Sequence, residues 1–440
     1  MQVSRRAFLG GAAALAVLRE GLGAPSANAR IFAPNGGQAA DFLICRRLYL
    51  DICGRVPTPD EVTEYVASRD VRKRENLVNA LLETDDFADY WSMRYCDFLR
   101  VKSEFPINLW PNAVYVYHRR IRDSIKQDEP WNAFARALLF ARGSNFRVPE
   151  VNFLRAAAQR TPEGLSEAVT TSLLLTPTDR YAYYFSRVAW KKTREWKEEI
   201  VYLKDGPADA TPEAFMRQLE GPLAKQFVET PVQRVHWWIY GTLAKGRKLE
   251  QWVGAFRNGG YRLKPLLRYV FDQTAYRAGP GRGGFPARRM DAEVLDDVLC
   301  TLTGARRSFG SIAPEPYSFL PPTRKSVLVE DGSISSAFLL LFGRPARDSG
   351  LLEERNNAIT AKQRLYLYNS SKLWKDLGRM TSRKEFAALP HEEQIKSLYL
   401  NFLSRPPVKD ELFYFDQKNK ITARDVAWHL LNSREFLYRI

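Results

Sequence analysis

The residues best suited to chemistry combine arginines, carboxylates and amides, and they lie in two stretches of the second half of the chain. Such groups could bind a sugar or an anion, with Arg355 as a bidentate partner and a carboxylate as general base. The alternative is a structural network, in which Asp291 caps the start of a helix and Glu354 pairs with Arg355 to lock two helices. Buried charges usually pair with one another, which favours the network. The candidate ligand-binding residues are Arg289, Asp291, Glu293, Glu354, Arg355, Gln363 and Asn369.

Other reactive residue types form no recognised catalytic or metal-binding pattern. His391 precedes two glutamates, but Ile395 occupies the place where a zinc-protease helix has its second His. With four His and four Cys in 440 residues, we predict no metal site. The chain also lacks the G-x-S-x-G motif of serine hydrolases and the phosphate-binding P-loop. We therefore assign no catalytic residue, and whether the chain is an enzyme stays open.

The first 29 residues have the pattern of an export leader. Arg5-Arg6 precedes an apolar run that ends at Leu18, and the tripeptide 27–29 (Ala-Asn-Ala) suits cleavage. Paired arginines at this place direct folded proteins across the inner membrane. The apolar run is too short to span a bilayer, so we expect cleavage, a periplasmic protein and no stable membrane anchor.

The chain is basic, with 66 Lys and Arg against 50 Asp and Glu, a net charge of +16. In an exported protein this charge favours an anionic polysaccharide, membrane headgroups or an acidic protein as partner over nucleic acid. The commonest explanation of such a charge is a solvated, evenly charged surface, because Lys and Arg are spread over the whole length. One stretch interleaves basic and aromatic residues, which suits an anionic glycan. An amphipathic helix with snorkelling lysines explains it equally well. The stretch contains Trp190, Lys191, Lys192, Arg194, Trp196 and Lys197.

Most of the chain has the apolar periodicity of helices. In 74–82, for example, Leu77, Val78, Leu81 and Leu82 lie on one stripe. The one convincing strand is 200–203, and the Asp-Gly pair at 205–206 predicts a hairpin turn. We predict a mainly α, multi-helical protein with two helical domains and at most a small β-hairpin. The predicted helices are 74–82, 113–126, one from 131, 232–244, 262–276, 291–303, 334–342, 361–377, 392–403 and 422–437.

An internal repeat links the two ends of the chain. Residues 48–62 align without a gap with 398–412, and the endings 81–87 and 430–436 also correspond. Each copy predicts a helix stopped by Gly or Ser plus Arg, then a Pro turn, then Asp-Glu in the first turn of the next helix. A partial third copy is 338–345. We interpret the repeat as a helical hairpin used twice, without a ligand.

At these residues the chain resembles the paired domains of unknown function 1549 and 1553, exported proteins associated with planctomycete cytochromes. The likeness covers roughly residues 41–440. Single residues such as Trp91, Asp97 and Arg100 support it between the motifs. The motifs that carry it are 46–51, 57–61, 108–111, 260–268, 289–293, 342–345 and 354–355.

The resemblance implies a domain organisation and a cofactor that this chain has lost. Many relatives carry a Cys-x-x-Cys-His haem-attachment motif at a place resembling 173–184, but here no Cys lies between 97 and 299. Covalent c-type haem needs two thiols and an adjacent His, so we expect no such cofactor. The implied units are the leader 1–29, an N-terminal helical domain 30–165, a degenerate haem-region segment 166–220 and a C-terminal helical domain 221–440.

The resemblance also implies a role. Proteins of this kind often accompany a co-exported sulfatase-like protein, so the expected function is that of a binding or scaffolding partner of such a protein. The alternative is a hydrolase of anionic or sulfated polysaccharide, indicated by the basic charge and the cluster of Arg, Asp and Glu.

Overall fold

The computed structural model describes residues 40–279, 285–313, 318–415 and 421–440, and the expected leader lies outside them. These residues form 22 α-helices and only short strands, which confirms the mainly α prediction. None of the helices in the described ranges is long and apolar enough to cross a membrane. All four cysteines are free thiols, and Cys300 alone of the four is partly exposed.

The first eight helices build the N-terminal half. Pro59 and the capping box of Thr58 with Glu61 fix the start of the second helix, and Thr84 caps the fourth. The predicted helices at 74–82, at 113–126 and from 131 are confirmed. The helices are α1 (Asp41–Ile52), α2 (Pro59–Ala67), α3 (Lys73–Leu82), α4 (Asp85–Phe98), α5 (Pro111–Lys126), α6 (Trp131–Phe140), α7 (Asn152–Arg155) and α8 (Pro162–Leu174).

A three-stranded antiparallel sheet follows, made of β1 (Gly143–Ser144), β2 (Val188–Lys192) and β3 (Glu199–Leu203) in the order β1-β3-β2. The strand predicted at 200–203 is confirmed, but its hairpin partner precedes it. The turn therefore lies at 193–198, and the prediction of a turn at 205–206 is wrong. The helical interpretation of 190–197 is also wrong, because residues 188–192 pair in register with 199–203.

The middle of the chain departs from the sequence prediction in two places. The helix expected at 232–244 begins eight residues earlier, because Pro231 is accommodated inside it, and it ends where Gly241 adopts positive φ. The helix expected at 262–276 is interrupted by the extended backbone of Gln273. The helices are α9 (Pro212–Glu220), α10 (Ala224–Tyr240), α11 (Gly246–Asn258), α12 (Leu263–Asp272) and α13 (Thr274–Arg277).

In the C-terminal part, two long predicted helices are broken by serines. Ser370 ends one helix and caps the next, and near the end of the chain Ser433 caps a new helix directly after Asn432 has ended the previous one. The helix predicted at 334–342 is shorter than expected. The elements are β4 (Arg288–Arg289), α14 (Ala292–Thr303), α15 (Ala337–Leu341), α16 (Ala361–Asn369), α17 (Ser371–Thr381), α18 (Lys384–Ala387), α19 (His391–Leu403), α20 (Lys409–Tyr414), α21 (Ala423–Leu431), α22 (Arg434–Leu437) and β5 (Tyr438–Arg439).

The repeated hairpin has the same geometry in both copies. Gly54 and the aligned Ser404 both adopt the left-handed conformation, with φ of +61° and +58°. The guanidinium of the following arginine donates two hydrogen bonds to the carboxylate of a glutamate in the next helix. All four N–O distances are 2.8 Å, two for Arg55–Glu61 and two for Arg405–Glu411. Both copies therefore form the predicted helical hairpin, and the bidentate ion pair that closes each turn is a feature that the sequence analysis did not predict.

The two copies meet in the folded chain. Arg46 of α1 is buried and donates a hydrogen bond to the Ser404 hydroxyl (3.1 Å). β4 pairs with β5, so the last residues return to the middle of the chain. The buried apolar side chains form one continuous cluster from Ile44 to Leu437. The N-terminal and C-terminal halves thus share a core.

Candidate functional site

Three of the charged residues singled out in the sequence, Asp291, Glu293 and Arg355, lie where both halves of the chain meet, as part of a larger set of charged side chains. α4 contributes two of the members, the start of α14 contributes two, and the loop that follows α15 contributes the remaining three. We call this set the charge cluster. Its members are Arg94, Asp97, Asp291, Glu293, Arg344, Arg347 and Arg355.

Arg355 is the centre of the charge cluster. Its two Nη atoms lie 2.7 and 3.0 Å from the Glu293 carboxylate, and its Nε lies 2.9 Å from Asp97. The second oxygen of Asp97 accepts a hydrogen bond from Nε of Arg347 (3.0 Å). The Nε of Arg344 lies 3.4 Å from Glu293. Both carboxylates are thus shared between two arginines, an arrangement that fixes all five groups.

Asp291 forms a second centre beside the first. Its Oδ2 accepts from Arg94 (2.7 Å) and from the Tyr90 hydroxyl (3.0 Å), and its Oδ1 accepts from Nδ2 of Asn357 (2.7 Å). Asp291 does precede α14, but its side chain makes no capping hydrogen bond. The predicted cap is therefore wrong, because the buried Arg94 offers the carboxylate a charged partner.

The neighbouring charges keep these buried groups ionised. Burial would raise the pKa of the Asp291 carboxyl, but Arg94 and Arg355 hold that pKa well below its usual range. Burial also opposes ionisation of Glu293, and Arg355 nevertheless keeps its pKa below the ordinary value. For Arg355, Asp97 and Glu293 outweigh burial and raise the pKa. These carboxylates therefore stabilise the fold above about pH 4, and the contribution is lost as the pH falls below that value.

The other four candidate residues are not members of the charge cluster. Arg289 is buried and donates to the carbonyl oxygens of Met290, Phe342 and Asn356. Gln363 forms a capping box with Thr360 and donates to the carbonyl oxygen of Leu341. Asn369 is exposed at the last residue of α16, away from the cluster. The fourth residue, Glu354, accepts hydrogen bonds from backbone N–H groups.

Glu354 does not pair with Arg355, so the predicted buried pair is wrong. Its carboxylate accepts instead from the backbone N–H groups of residues 348–350, at 2.8 to 3.3 Å. The reason is local: the turn at 348–350 directs three N–H groups at one point, and a carboxylate satisfies them together. Arg355 points the other way, toward Glu293 and Asp97.

This geometry determines what the charge cluster can do. A general base needs a lone pair that faces the substrate, whereas the oxygens of Glu293 and Asp97 already face arginines at hydrogen-bond distance. The side chains of Glu293, Asp291 and Arg355 are each at most 7% exposed. The arrangement favours the structural interpretation of these residues, and their role as a ligand site stays a prediction.

Sequence reasoning missed four of the seven members of the charge cluster. In the sequence, Asp97 stands out only among the residues that carry the family resemblance, and Arg344 only in one motif of that resemblance and in the third partial copy of the repeat. Arg94 and Arg347 gave no signal. The spacing Arg94-x-x-Asp97 on one helix face could have indicated a polar interface, since the rest of α4 is almost entirely buried.

The segment that resembles the haem-attachment region does not fit a covalently bound haem. It offers neither a thiol pair nor a His. Its tyrosines pack instead on a helix that follows in sequence: the ring centroids of Tyr181 and Tyr184 lie 5.2 and 5.8 Å from that of Phe215. Within the described ranges, no group of three or more His, Cys, Asp or Glu side chains is placed to hold a metal ion.

Comparison with known proteins gives two family matches. Residues 31–185 match the model described as PSCyt2, a protein of unknown function (DUF1549), and residues 282–417 match PSD1, a protein of unknown function (DUF1553). No curated protein and no solved structure matches the chain. The charge cluster joins the two matched segments, because Arg94 and Asp97 lie in the first and its other members in the second. The chain therefore belongs to the family of proteins that pair a DUF1549 domain with a DUF1553 domain.

Proposed function

We propose that this protein is a non-catalytic binding partner of a second exported protein and carries no covalent haem. The observation that carries the proposal is a surface that we call the aromatic ridge, formed by Phe105, Ile312 and Trp196. These side chains are 82%, 90% and 59% exposed. Several large apolar side chains exposed on neighbouring loops are typical of a protein interface.

The loops of the aromatic ridge are held together. Beside Phe105, the carboxylate of Glu104 accepts from the Ser311 hydroxyl (2.6 Å) and from the backbone N–H of Ala313 (2.7 Å), and these residues flank Ile312. Trp110 closes the same loop by donating its backbone N–H to the carbonyl oxygen of Ser103 (3.2 Å). The ring of Trp110 lies edge-on to that of Trp196, with centroids 4.6 Å apart. The ridge is therefore a surface with defined geometry.

Charge indicates what kind of partner the ridge fits. The end of β2 exposes Lys191 and Lys192, and the turn that carries Trp196 exposes Arg194 and Lys197. The exposed Glu195 in the same turn offsets one of these four charges. Glu198 does not offset the others, since it is buried and accepts from the hydroxyls of Ser144 (2.5 Å) and Thr193 (2.7 Å). A protein with an apolar pocket and an acidic rim is complementary to this surface.

The location and the candidate partner rest on the sequence. The paired arginines at 5–6 support export, and the family resemblance makes a co-exported sulfatase-like protein the candidate. The hydrolase alternative has less support, because the carboxylates that would serve it are bound to arginines in the charge cluster.

The test measures binding of the purified chain to the sulfatase-like protein exported with it. We expect the triple variant Phe105→Ser, Ile312→Ser, Trp196→Ser to bind at least about tenfold more weakly, with unchanged unfolding. Phe413→Ser is the matched control, since Phe413 is 81% exposed on α20. Binding should also weaken as salt is raised. Absence of binding by the unaltered chain, or equal binding by the triple variant and the control, would contradict the proposal.

A further inference from the structure

A basic cavity lies on the surface of α17, apart from both the charge cluster and the aromatic ridge. Its volume is about 740 Å³, and Lys372, Lys375 and Arg379 of α17 line it together with Arg424 of α21. The three α17 residues follow a spacing of three and four, which places them on one face of the helix. The cavity thus collects cations from two elements.

The cavity holds more positive charge than its own carboxylate neutralises. Asp376 is buried and pairs with both Lys372 (3.0 Å) and Arg379. Lys375 and Arg424 have no ion pair with any residue in the described part of the chain. Four cations therefore face one carboxylate, an excess of three positive charges that an anionic ligand would balance.

Arg424 is held in place although no carboxylate among the described residues forms an ion pair with it. Its guanidinium carbon lies 4.0 Å from the ring centroid of Trp374, and the edge-on contact with Trp428 (5.3 Å) fixes that ring in turn. The missing side chain of Gly378 leaves space for the guanidinium of Arg424. A Cβ added there would lie 2.8 Å from Nη1 of Arg424. Glycine is unfavourable inside a helix, and the close contact with Arg424 explains why a glycine occupies this position of α17.

We propose that this cavity binds the sulfate-ester or phosphate-ester group of a ligand. A fixed guanidinium offers two parallel N–H donors that match two oxygens of a tetrahedral oxyanion. The lysines add charge around the remaining oxygens. The site lies apart from the aromatic ridge, so it goes beyond the proposed protein partner and can be correct whether or not that partner binds.

The test is isothermal titration of the full chain in chloride buffer with sodium sulfate, sodium phosphate, and a sulfated heparin-type tetrasaccharide beside its desulfated form. We expect at least one of the two inorganic anions or the sulfated tetrasaccharide to bind, and Arg424→Ala to weaken that binding at least about tenfold. Preference for the sulfated tetrasaccharide over inorganic phosphate identifies a sulfate ester, and the reverse preference identifies a phosphate ester. Failure of all of these probes to bind would overturn the proposal.

Two further variants separate a built site from diffuse charge. Gly378→Ala keeps every charge but displaces the guanidinium, so binding should fall about fivefold or more while the helix is not weakened. Arg424→Lys keeps the positive charge but lacks the two parallel N–H donors, so this variant should also bind the anion more weakly. The control Arg247→Ala removes one exposed charge from α11 and should leave binding nearly unchanged. Equal binding by Gly378→Ala, Arg424→Lys and the control would refute the site.

Discussion

Replacing Glu293 by Gln tests whether the charge cluster holds the two halves of the fold together. Glu293 is fully buried and faces the guanidinium groups of Arg355 and Arg344. A glutamine has nearly the same shape but no charge, and its amide N–H₂ would face a guanidinium donor. Removing one partner of a buried ion pair costs about 3–5 kcal/mol. Because Asp97 still holds Arg355, we expect the lower end of that range.

A loss of about 3 kcal/mol is large beside a total stability of about 5–15 kcal/mol. The measurement is the free energy of unfolding in urea, followed by tryptophan fluorescence. Arg136→Gln is the control, because Arg136 and its partner Glu220 are largely exposed and such pairs contribute less than about 1 kcal/mol.

The double variant with Arg355→Met sharpens this test. In the chain without Arg355, the Glu293 carboxylate has already lost its main partner, so Glu293→Gln removes an unpaired buried charge. The loss of unfolding free energy in the double variant should therefore be about 1–3 kcal/mol smaller than the sum of the losses in the two single variants. The reasoning would be refuted by a Glu293→Gln variant as stable as the Arg136→Gln control, or by strictly additive losses.

Three other predictions follow from the fold. Arg405→Ala should destabilise the chain more than Arg55→Ala, by about 1–2 kcal/mol in urea unfolding, because the aligned side chains are 4% and 30% exposed; equal losses would argue against burial as the cause. Gly54→Ala should cost more than Gly246→Ala, since both have positive φ but only at Gly54 would a Cβ meet a ring, at 2.4 Å; thermal unfolding of the two variants decides this. Burial and nearby arginines lower the pKa of His118 to about 3, so protonation of His118 favours the unfolded chain. The free energy of unfolding should therefore fall by up to about 1.4 kcal/mol per pH unit below pH 6.5. His118→Gln should remove that part of the pH dependence, and an unchanged pH dependence would show that His118 is accessible to protons in the folded chain.

Local features of the fold were predictable from the sequence because local residues determine them. The helix stop, the Pro turn and the Asp-Glu pair of the repeat lie close together in sequence, and both copies form the predicted helical hairpin, with Gly54 and Ser404 left-handed at aligned positions. The helix breaks were missed where a serine replaces the usual glycine or proline signal, as at Ser370, because serine is tolerated inside helices and acts as a cap only when the backbone turns there.

The charge cluster could be predicted only in part. Asp97 and Arg355 are separated by 258 positions, and no local pattern encodes which distant charge a buried arginine will meet. Sequence reasoning therefore grouped Glu354 with Arg355 as neighbours, whereas the fold separates them. The basic stretch at 190–197 was recognised by composition, but its alternation was too short to distinguish a strand from a helix.

The most direct test of the account is native-state hydrogen exchange of α4 and α14, the two helices that the charge cluster joins. If the cluster makes the two family segments one cooperative body, the most protected amides around Asp97 and Glu293 should exchange through the same global opening, with equal free energies in rising denaturant. Exchange of α14 through a separate opening of lower free energy, with α4 still protected, would contradict the account.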